Sequence, residues 1–241
     1  MKRFYKHVTI DRTDDGHRVL LDRRPLKTPA RATLVLPVAD LAAALAAEWD
    51  AQGETVEPTA MPITRLATTA MDRMPELRSA AIQEIADYTG TDLLCYRAPK
   101  PEDLVQRQRD AWQPPLDWMA SRYDVAFEVT SSILPAPQPQ ATIDGVRRAV
   151  EAVGDWPLVG LHAATTGLGS VVLALALWHR RIDAPAAADA SLLDELYEIE
   201  RWGKERDASR RHDALRHDMR GIAIFLEHLP PDDLITDPAT S

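Results

Sequence analysis

The sequence contains only one cysteine, Cys95, and fewer basic than acidic residues. A single cysteine cannot form an intrachain disulfide framework or a cysteine-rich zinc cluster, and it suits a reducing compartment. Lys and Arg number 28 against 37 Asp and Glu, so the formal net charge is -9. Because phosphate contacts need a surplus of basic residues on one face, this balance argues against binding to nucleic acid or to anionic lipid.

The sequence also lacks the common motifs for nucleotides and metals. No Gly-Lys-Ser/Thr triplet occurs, which excludes a P-loop. Gly167 and Gly169 do not complete a dinucleotide-binding pattern, because Val172 occupies the position of its last glycine. His212 and His217 are five residues apart, so on a helix they would not share a ligand face. We therefore predict that the protein uses no cofactor, nucleotide or metal ion.

Two stretches of the sequence bear on whether the chain meets a membrane. The first ten residues, MKRFYKHVTI, contain no apolar core of signal-peptide length, so we expect a cytoplasmic protein. The stretch 158–178 contains no charged residue and is long enough for a membrane span. Its glycines weaken that interpretation, since each costs about 1 kcal/mol relative to alanine in a helix interior. We predict two short buried helices joined near Gly167 to Gly169, and no membrane insertion.

The order of the sequence patterns predicts an α+β protein. Alternating apolar residues and turn signals predict short strands in the first third, the last of them at residues 32–36. An apolar stripe then predicts one helix over residues 37–51; it consists of Val38, Leu41, Leu45 and Trp49. We expect a small two-layer α+β domain over residues 1–60 and a larger all-α domain over 61–241, with a disordered tail from about residue 230.

Proline positions divide the predicted helical part. Pro101 suits the start of a helix, whereas Pro114 and Pro115 remove two backbone donors in succession. We therefore predict a helix that breaks at this pair and resumes over residues 116–123.

Six tryptophans stand out in a chain in which only 6% of the residues are aromatic. Most of them should anchor the core, where each would bury roughly 150–250 Å². Trp202 differs, because charged residues and a glycine surround it in the run ERWGKERD at 200–207. Two interpretations stay open: Trp202 anchors a partner protein, or it caps the core where a helix bends at Gly203.

Seven short motifs follow one another in an order that is typical of one family. They are EWDxQ at 48–52, MPITRLA at 61–67, TDLLCYRA at 91–98, QxxxWxPxLxW at 108–118, LGS at 168–170, Asp194-Glu195 and Trp202-Gly203. This series resembles the assembly chaperones for the α subunit of the F-type ATP synthase catalytic head. The resemblance extends from about residue 4 to residue 228, and the run at 91–98 is its most specific part.

The resemblance implies a small N-terminal α+β domain, a larger orthogonal helical bundle and no catalysis. It implies a protein that holds a newly made α subunit until a β subunit replaces it, in mitochondria and in some bacteria; this chain, without a presequence, is interpreted as bacterial. Trp202 and the acidic residues near it would contact that partner: Glu195, Glu198, Glu205 and Asp207. The family pattern has Asp and then Glu at the positions where this chain has Glu205 and Asp207. This chain therefore keeps the charges and exchanges the side-chain lengths.

Two other functions stay open at this point. A helical metal-dependent hydrolase would use His162 or the pair Glu195 and Glu198 in a cleft between the domains. A general interaction scaffold would bind proteins unrelated to ATP synthase. Charged residues on helices are usually solvated, which weakens the interpretation as a hydrolase. Cys95 lies in an apolar run, so we expect it to be a core residue and not a nucleophile.

Overall fold

The computed structural model of the chain describes residues 1–132, 136–203 and 206–231, and for residues 206–208 it describes the backbone alone. The chain begins with an antiparallel sheet in the order β1-β2-β3, formed by β1 (Val8–Thr13), β2 (Gly16–Leu21) and β3 (Arg24–Pro25). Asp22 and Arg23 both have positive φ and form the two-residue turn between β2 and β3. Positive φ at both central residues matches the right-handed twist of the paired strands.

Helix α1 (Ala39–Asp50) packs against β1 and β2 and completes the N-terminal layer. The predicted stripe is confirmed for Leu41, Leu45 and Trp49, which are buried, whereas Val38 precedes the helix and is exposed.

The predicted strand at 32–36 is wrong. These residues make only isolated bridges, Thr33 with Lys27 and Leu36 with His17. The segment folds back on residues 26–28 through a tight turn, with Leu34 N donating to Leu26 O over 2.9 Å. This hairpin is too short for a continuous ladder, although Leu34 and Leu36 are fully buried.

Beyond α1 the described chain is mainly α-helical, with non-helical connections such as residues 124–132, which confirms the α+β class. The helices are α2 (Pro62–Asp72), α3 (Met74–Asp87), α4 (Glu102–Tyr123), α5 (Gln140–Glu151), α6 (Asp155–Leu168), α7 (Val171–Trp178), α8 (Ala184–Ser191), α9 (Leu193–Trp202) and α10 (Arg206–Glu227). One hydrophobic cluster extends from Tyr5 in the sheet layer to Leu226 in α10. The domain boundary near residue 60 stays a prediction.

The two short buried helices predicted from the stretch 158–178 are confirmed as α6 and α7. They separate at Gly169, whose φ of +66° favours glycine and ends α6. Every residue of α7 is buried, and α4, α6, α8 and α10 pack around it. Within the described part of the chain, no helix combines the length and the apolarity needed to cross a membrane.

The predicted break at Pro114 and Pro115 is wrong, because α4 continues through both prolines. The residues on either side of the pair explain this result. Trp112, Leu116 and Met119 lie on one buried face, and Trp112 Nε1 also donates to Ala190 O over 2.8 Å. Packing along this face stabilises the helical path more than the lost backbone hydrogen bonds destabilise it.

Candidate functional site

Helix α9, which carries the predicted binding residues, is fixed against α4 by polar contacts. The Tyr197 hydroxyl donates to Asp103 Oδ1 over 2.8 Å, and Arg201 Nη2 donates to Asp103 Oδ2 over 2.7 Å. Arg107 Nη1 lies 2.8 Å from Glu200 Oε2. The hydrogen bonds from Tyr197 and Arg201 hold the pKa of Asp103 below its ordinary value, so this carboxylate is ionised at neutral pH. One side of α9 therefore packs against α4.

The opposite side of α9 carries the predicted residues Glu195, Glu198 and Trp202. They are spaced i, i+3 and i+7, so they share one face of the helix. Trp202 is 86% exposed, while each of the other five tryptophans is buried or half-buried. The alternative in which Trp202 caps the core is therefore wrong. Gly203, with a φ of +92°, ends the helix directly after it.

Glu195 forms the junction between α9 and α10. Its Oε2 lies 2.7 Å from His212 Nε2, which belongs to a buried side chain, and it also accepts a hydrogen bond from Arg211. Partial burial acts to raise the pKa of Glu195, but the hydrogen bonds and charges of His212 and Arg211 outweigh it and lower that pKa. Glu195 is thus a half-exposed carboxylate that already has two partners.

Glu198 has a different environment. Its side chain is exposed and has no hydrogen bond or ion pair with any residue that the structure describes. The other two predicted acidic residues lie outside this description, since Glu205 is not described and Asp207 is described by its backbone alone. Their part in a binding surface stays a prediction.

His162 and Glu195, which belong to the two versions of the alternative metal site, each have another partner. His162 Nε2 is 2.9 Å from Glu84 Oε2, and Glu195 is occupied by His212 and Arg211. Across residues 1–132, 136–203 and 206–231, the structure shows no group of three or more His, Cys, Asp or Glu side chains suited to a metal ion.

Cys95, expected to be a core residue, is 1% exposed. Burial raises the pKa of its thiol to about 12, with a smaller contribution in the same direction from Asp92. At neutral pH the side chain is therefore an uncharged thiol and a poor nucleophile.

Several motif residues have structural roles that the sequence did not reveal. Glu48, in the EWD motif, accepts hydrogen bonds from Ile63 N over 2.7 Å and from Thr64 N over 2.8 Å. These are free backbone donors in the first turn of α2, where a carboxylate is favoured. Trp49 Nε1 donates to Thr64 Oγ1 over 3.1 Å. Together these side chains attach the N-terminal layer to the helical part.

Asp92, in the TDLLCYRA motif, has a comparable role at α7. Its carboxylate accepts from Leu94 N, from Ser170 Oγ and from Val172 N over 2.8–3.1 Å. Ser170 in turn accepts from Leu173 N over 3.0 Å. Asp92 is fully buried, and burial raises its pKa to about 6, although these hydrogen bonds act in the opposite direction. The most specific motif of the chain thus stabilises the start of its most buried helix.

This raised pKa predicts a pH dependence of stability. Between about pH 4 and pH 6 the folded protein keeps a proton on Asp92 that the unfolded chain releases. Stability from this group is therefore fully present below about pH 4 and is lost as the pH rises through about 6. We expect the difference in unfolding free energy between the wild type and Asp92→Asn to change by on the order of 2–3 kcal/mol from pH 4 to pH 7. Urea titrations at several pH values test this, and a constant difference would contradict it.

Comparison with known proteins places the chain in a family. Residues 2–120 match the sequence model of a family described as ATP12 chaperone protein. The crystal structure of Atp12 from Paracoccus denitrificans is 38% identical, with a TM-score of 0.87, over 94% of this chain and 97% of that chain. The chain belongs to the Atp12 chaperone family. It is accordingly a chaperone and not an enzyme, as the resemblance implied.

Two further relatives support this membership. The Atu1473 protein of Agrobacterium tumefaciens is 38% identical, with a TM-score of 0.89, over 95% of this chain and 86% of that chain. The mitochondrial protein atp12 of Schizosaccharomyces pombe is 23% identical over 219 residues, which are 86% of this chain and 75% of that protein. The Atp12 family therefore includes both bacterial proteins and a mitochondrial one.

Proposed function

We propose that this chain acts in ATP synthase assembly by binding the unassembled α subunit of the catalytic head until a β subunit takes its place. Membership of the Atp12 family and the seven ordered motifs support this role. The single cysteine and the acidic composition favour the bacterial cytoplasm as the compartment.

The exposed side chain of Trp202 is the main support for the location of the proposed binding surface. Other motif residues make internal contacts: Glu48 with α2, Asp92 with α7, and Trp112 with the end of α8. Trp202 makes no such contact with the residues that the structure describes, and among them its ring is 86% exposed. Tryptophan is enriched among the few residues that dominate binding energy at protein interfaces. Its exposure is explained if a partner covers it.

Holding a subunit in this way needs no chemical energy. An unassembled subunit exposes the surface intended for its neighbour, and such patches promote aggregation. A protein that binds this surface lowers the free population by mass action, without ATP. Glu198, exposed and unpaired with any described residue, would favour a partner that presents basic groups there.

Replacing Trp202 with alanine tests the anchor. We expect the affinity for purified α subunit to fall by roughly 30-fold, the size of a hot-spot loss of about 2 kcal/mol. The unfolding free energy should be unchanged, because the side chain is 86% exposed. Titration calorimetry and co-elution of the two proteins measure the affinity, and urea titration of the variant alone measures its unfolding free energy.

The matched control is Phe4→Ala, which removes another exposed aromatic ring from the N-terminal part. It should leave binding unchanged. If Trp202→Ala binds as tightly as the wild type, the anchor is wrong. If the wild-type protein, captured from its own organism, never carries α subunit free of β subunit, the proposed function itself is wrong.

A further inference from the structure

Strand β1 forms one edge of the N-terminal sheet. The order β1-β2-β3 leaves its second side without a strand among the residues that the structure describes. Asp22 N donates to His7 O over 3.0 Å, so the backbone groups of every second residue from His7 onwards face β2. The N–H and C=O groups of Val8, Ile10 and Arg12 therefore point away from the sheet, and they form no hydrogen bond with another described segment.

The hydrogen bonds of β2 give the same result independently. Ile10 lies opposite Val19, whose C=O accepts from Leu26 N over 2.9 Å on the other side of β2. Since the backbone groups of Val19 point away from β1, those of Ile10 point away from β2. The edge thus presents unpaired donors and acceptors at every second residue. A polypeptide strand offers the matching ladder, whereas a nucleic acid or a lipid does not.

The side chains along this edge follow one pattern. Ile10 is 44% exposed, although it lies on the same face of the sheet as the buried Val19 opposite it. Lys6 and Arg12 are exposed and flank Val8 and Ile10 at a period of two residues, so the two cations are about 20 Å apart. The edge therefore offers a cation, two apolar positions and a second cation.

The positive charges at this edge are not matched within the chain. Neither Lys6 nor Arg12 forms an ion pair with any residue that the structure describes. Asp22, beside Lys6, already accepts from two backbone N–H groups. Asp11, which precedes Arg12, pairs with Arg18. Both cations are therefore available to a partner.

This local excess belongs to a basic N-terminal layer in an acidic protein. Residues 1–36 contain 9 Lys and Arg against 4 Asp and Glu, a net charge of +5, so the remaining residues contain 19 against 33, a net charge of -14. Two of the four acidic residues, Asp14 and Asp15, lie in the turn at the end of the edge. A strand with acidic groups opposite Lys6 and Arg12 is attracted here, whereas a basic strand is repelled.

We propose that the free edge of β1 binds an extended acidic segment of a partner protein, which joins the sheet as an additional strand. Acidic side chains of that segment lie opposite Lys6 and Arg12, and apolar side chains lie opposite Val8 and Ile10. A second copy of this chain suits the edge less, since the register that matches Val8 with Ile10 places Lys6 opposite Arg12. The inference goes beyond the proposed function and does not depend on it.

A labelled peptide of sequence ETVTVTE is the probe, because its acidic and apolar residues have the required spacing. We expect the double variant Lys6→Glu and Arg12→Glu to bind it at least about tenfold more weakly at low salt, as measured by fluorescence anisotropy. Both side chains are exposed, so the fold should remain intact. The matched control, Arg109→Glu with Arg148→Glu, changes the net charge equally at two exposed helical positions and should leave binding unchanged.

N-methylated peptides separate strand addition from simple charge attraction. The two valines lie opposite Val8 and Ile10, so their N–H groups would bond to β1, and methylating them should abolish binding. Methylating the threonines, whose N–H groups would face solvent, should leave binding unchanged. Equal binding of the two methylated peptides would contradict the added strand.

Three further results would overturn the inference. They are a wild type that does not bind ETVTVTE, a wild type that binds a labelled oligonucleotide as tightly as the peptide, and a homodimer that the double variant no longer forms. The last result would assign the edge to a second copy. Because the α subunit is absent from these assays, the proposed function stands or falls separately.

Discussion

Replacing Asp92 with alanine is expected to lower the free energy of unfolding by about 4 kcal/mol. The carboxylate is fully buried and is the acceptor for Leu94 N, Ser170 Oγ and Val172 N. Its removal leaves these donors without a partner in a site closed to water, and each such loss costs roughly 1–3 kcal/mol. Because α7 forms the centre of the helical part, the loss should appear as a lower midpoint for the whole chain.

A second aspartate provides the control. Asp183 accepts from Ala186 N over 2.8 Å at the start of α8, but it is exposed. Asp183→Ala should cost about 1 kcal/mol, the usual value for a helix cap that water can replace. Chemical denaturation followed by far-ultraviolet circular dichroism compares the two variants. If both variants lose only about 1 kcal/mol of unfolding free energy, the burial of Asp92 adds nothing to its contribution to stability.

Gly221→Ala is expected to destabilise the protein by about 3 kcal/mol. A Cβ at Gly221 would lie 2.1 Å from Cγ and 2.5 Å from Cβ of Pro62. The proline ring is rigid and begins α2, so α2 and α10 must move apart. In an exposed helix the same substitution would stabilise by about 1 kcal/mol. The sign of the effect therefore distinguishes close packing from helix propensity.

Gly167→Ala is the matched control, since Gly167 also lies within a helix. Its added Cβ would meet Met219 Cε at 2.9 Å, and this is the end of a flexible side chain. We expect its unfolding free energy to stay within about 1 kcal/mol of the wild type. A stable Gly221→Ala protein, with an unchanged denaturation midpoint, would contradict the close contact between α2 and α10.

Local patterns predicted much of the fold. The stripe on α1 and the glycine-interrupted apolar stretch that became α6 and α7 depend on spacing within a few residues. The stretch is confirmed, and so is the stripe except for Val38. The prediction at Pro114 and Pro115 was wrong because the stability of α4 depends on Trp112 and its distant partner on α8. Propensity is a weak guide where tertiary packing decides.

The residues of the candidate site come from the sequence and their binding role stays a prediction, whereas their geometry was not predicted. Trp202 stands out in the sequence, but its exposure does not follow from it, because the side of α9 that faces water is decided by the contact between Tyr197 and Asp103, 94 residues apart. The contacts between helices that are distant in the sequence were not predicted at all. One of them joins Arg65 and Asp218, which are 153 residues apart.

The contact between Glu48 and the first turn of α2 has a consequence for dividing the chain. A fragment that starts at residue 61 would lose the carboxylate that accepts from Ile63 N and Thr64 N, and also the indole that donates to Thr64. The peptide bond after residue 60 is thus a poor place to cut, because side chains before it bind the first turn of a helix that begins after it.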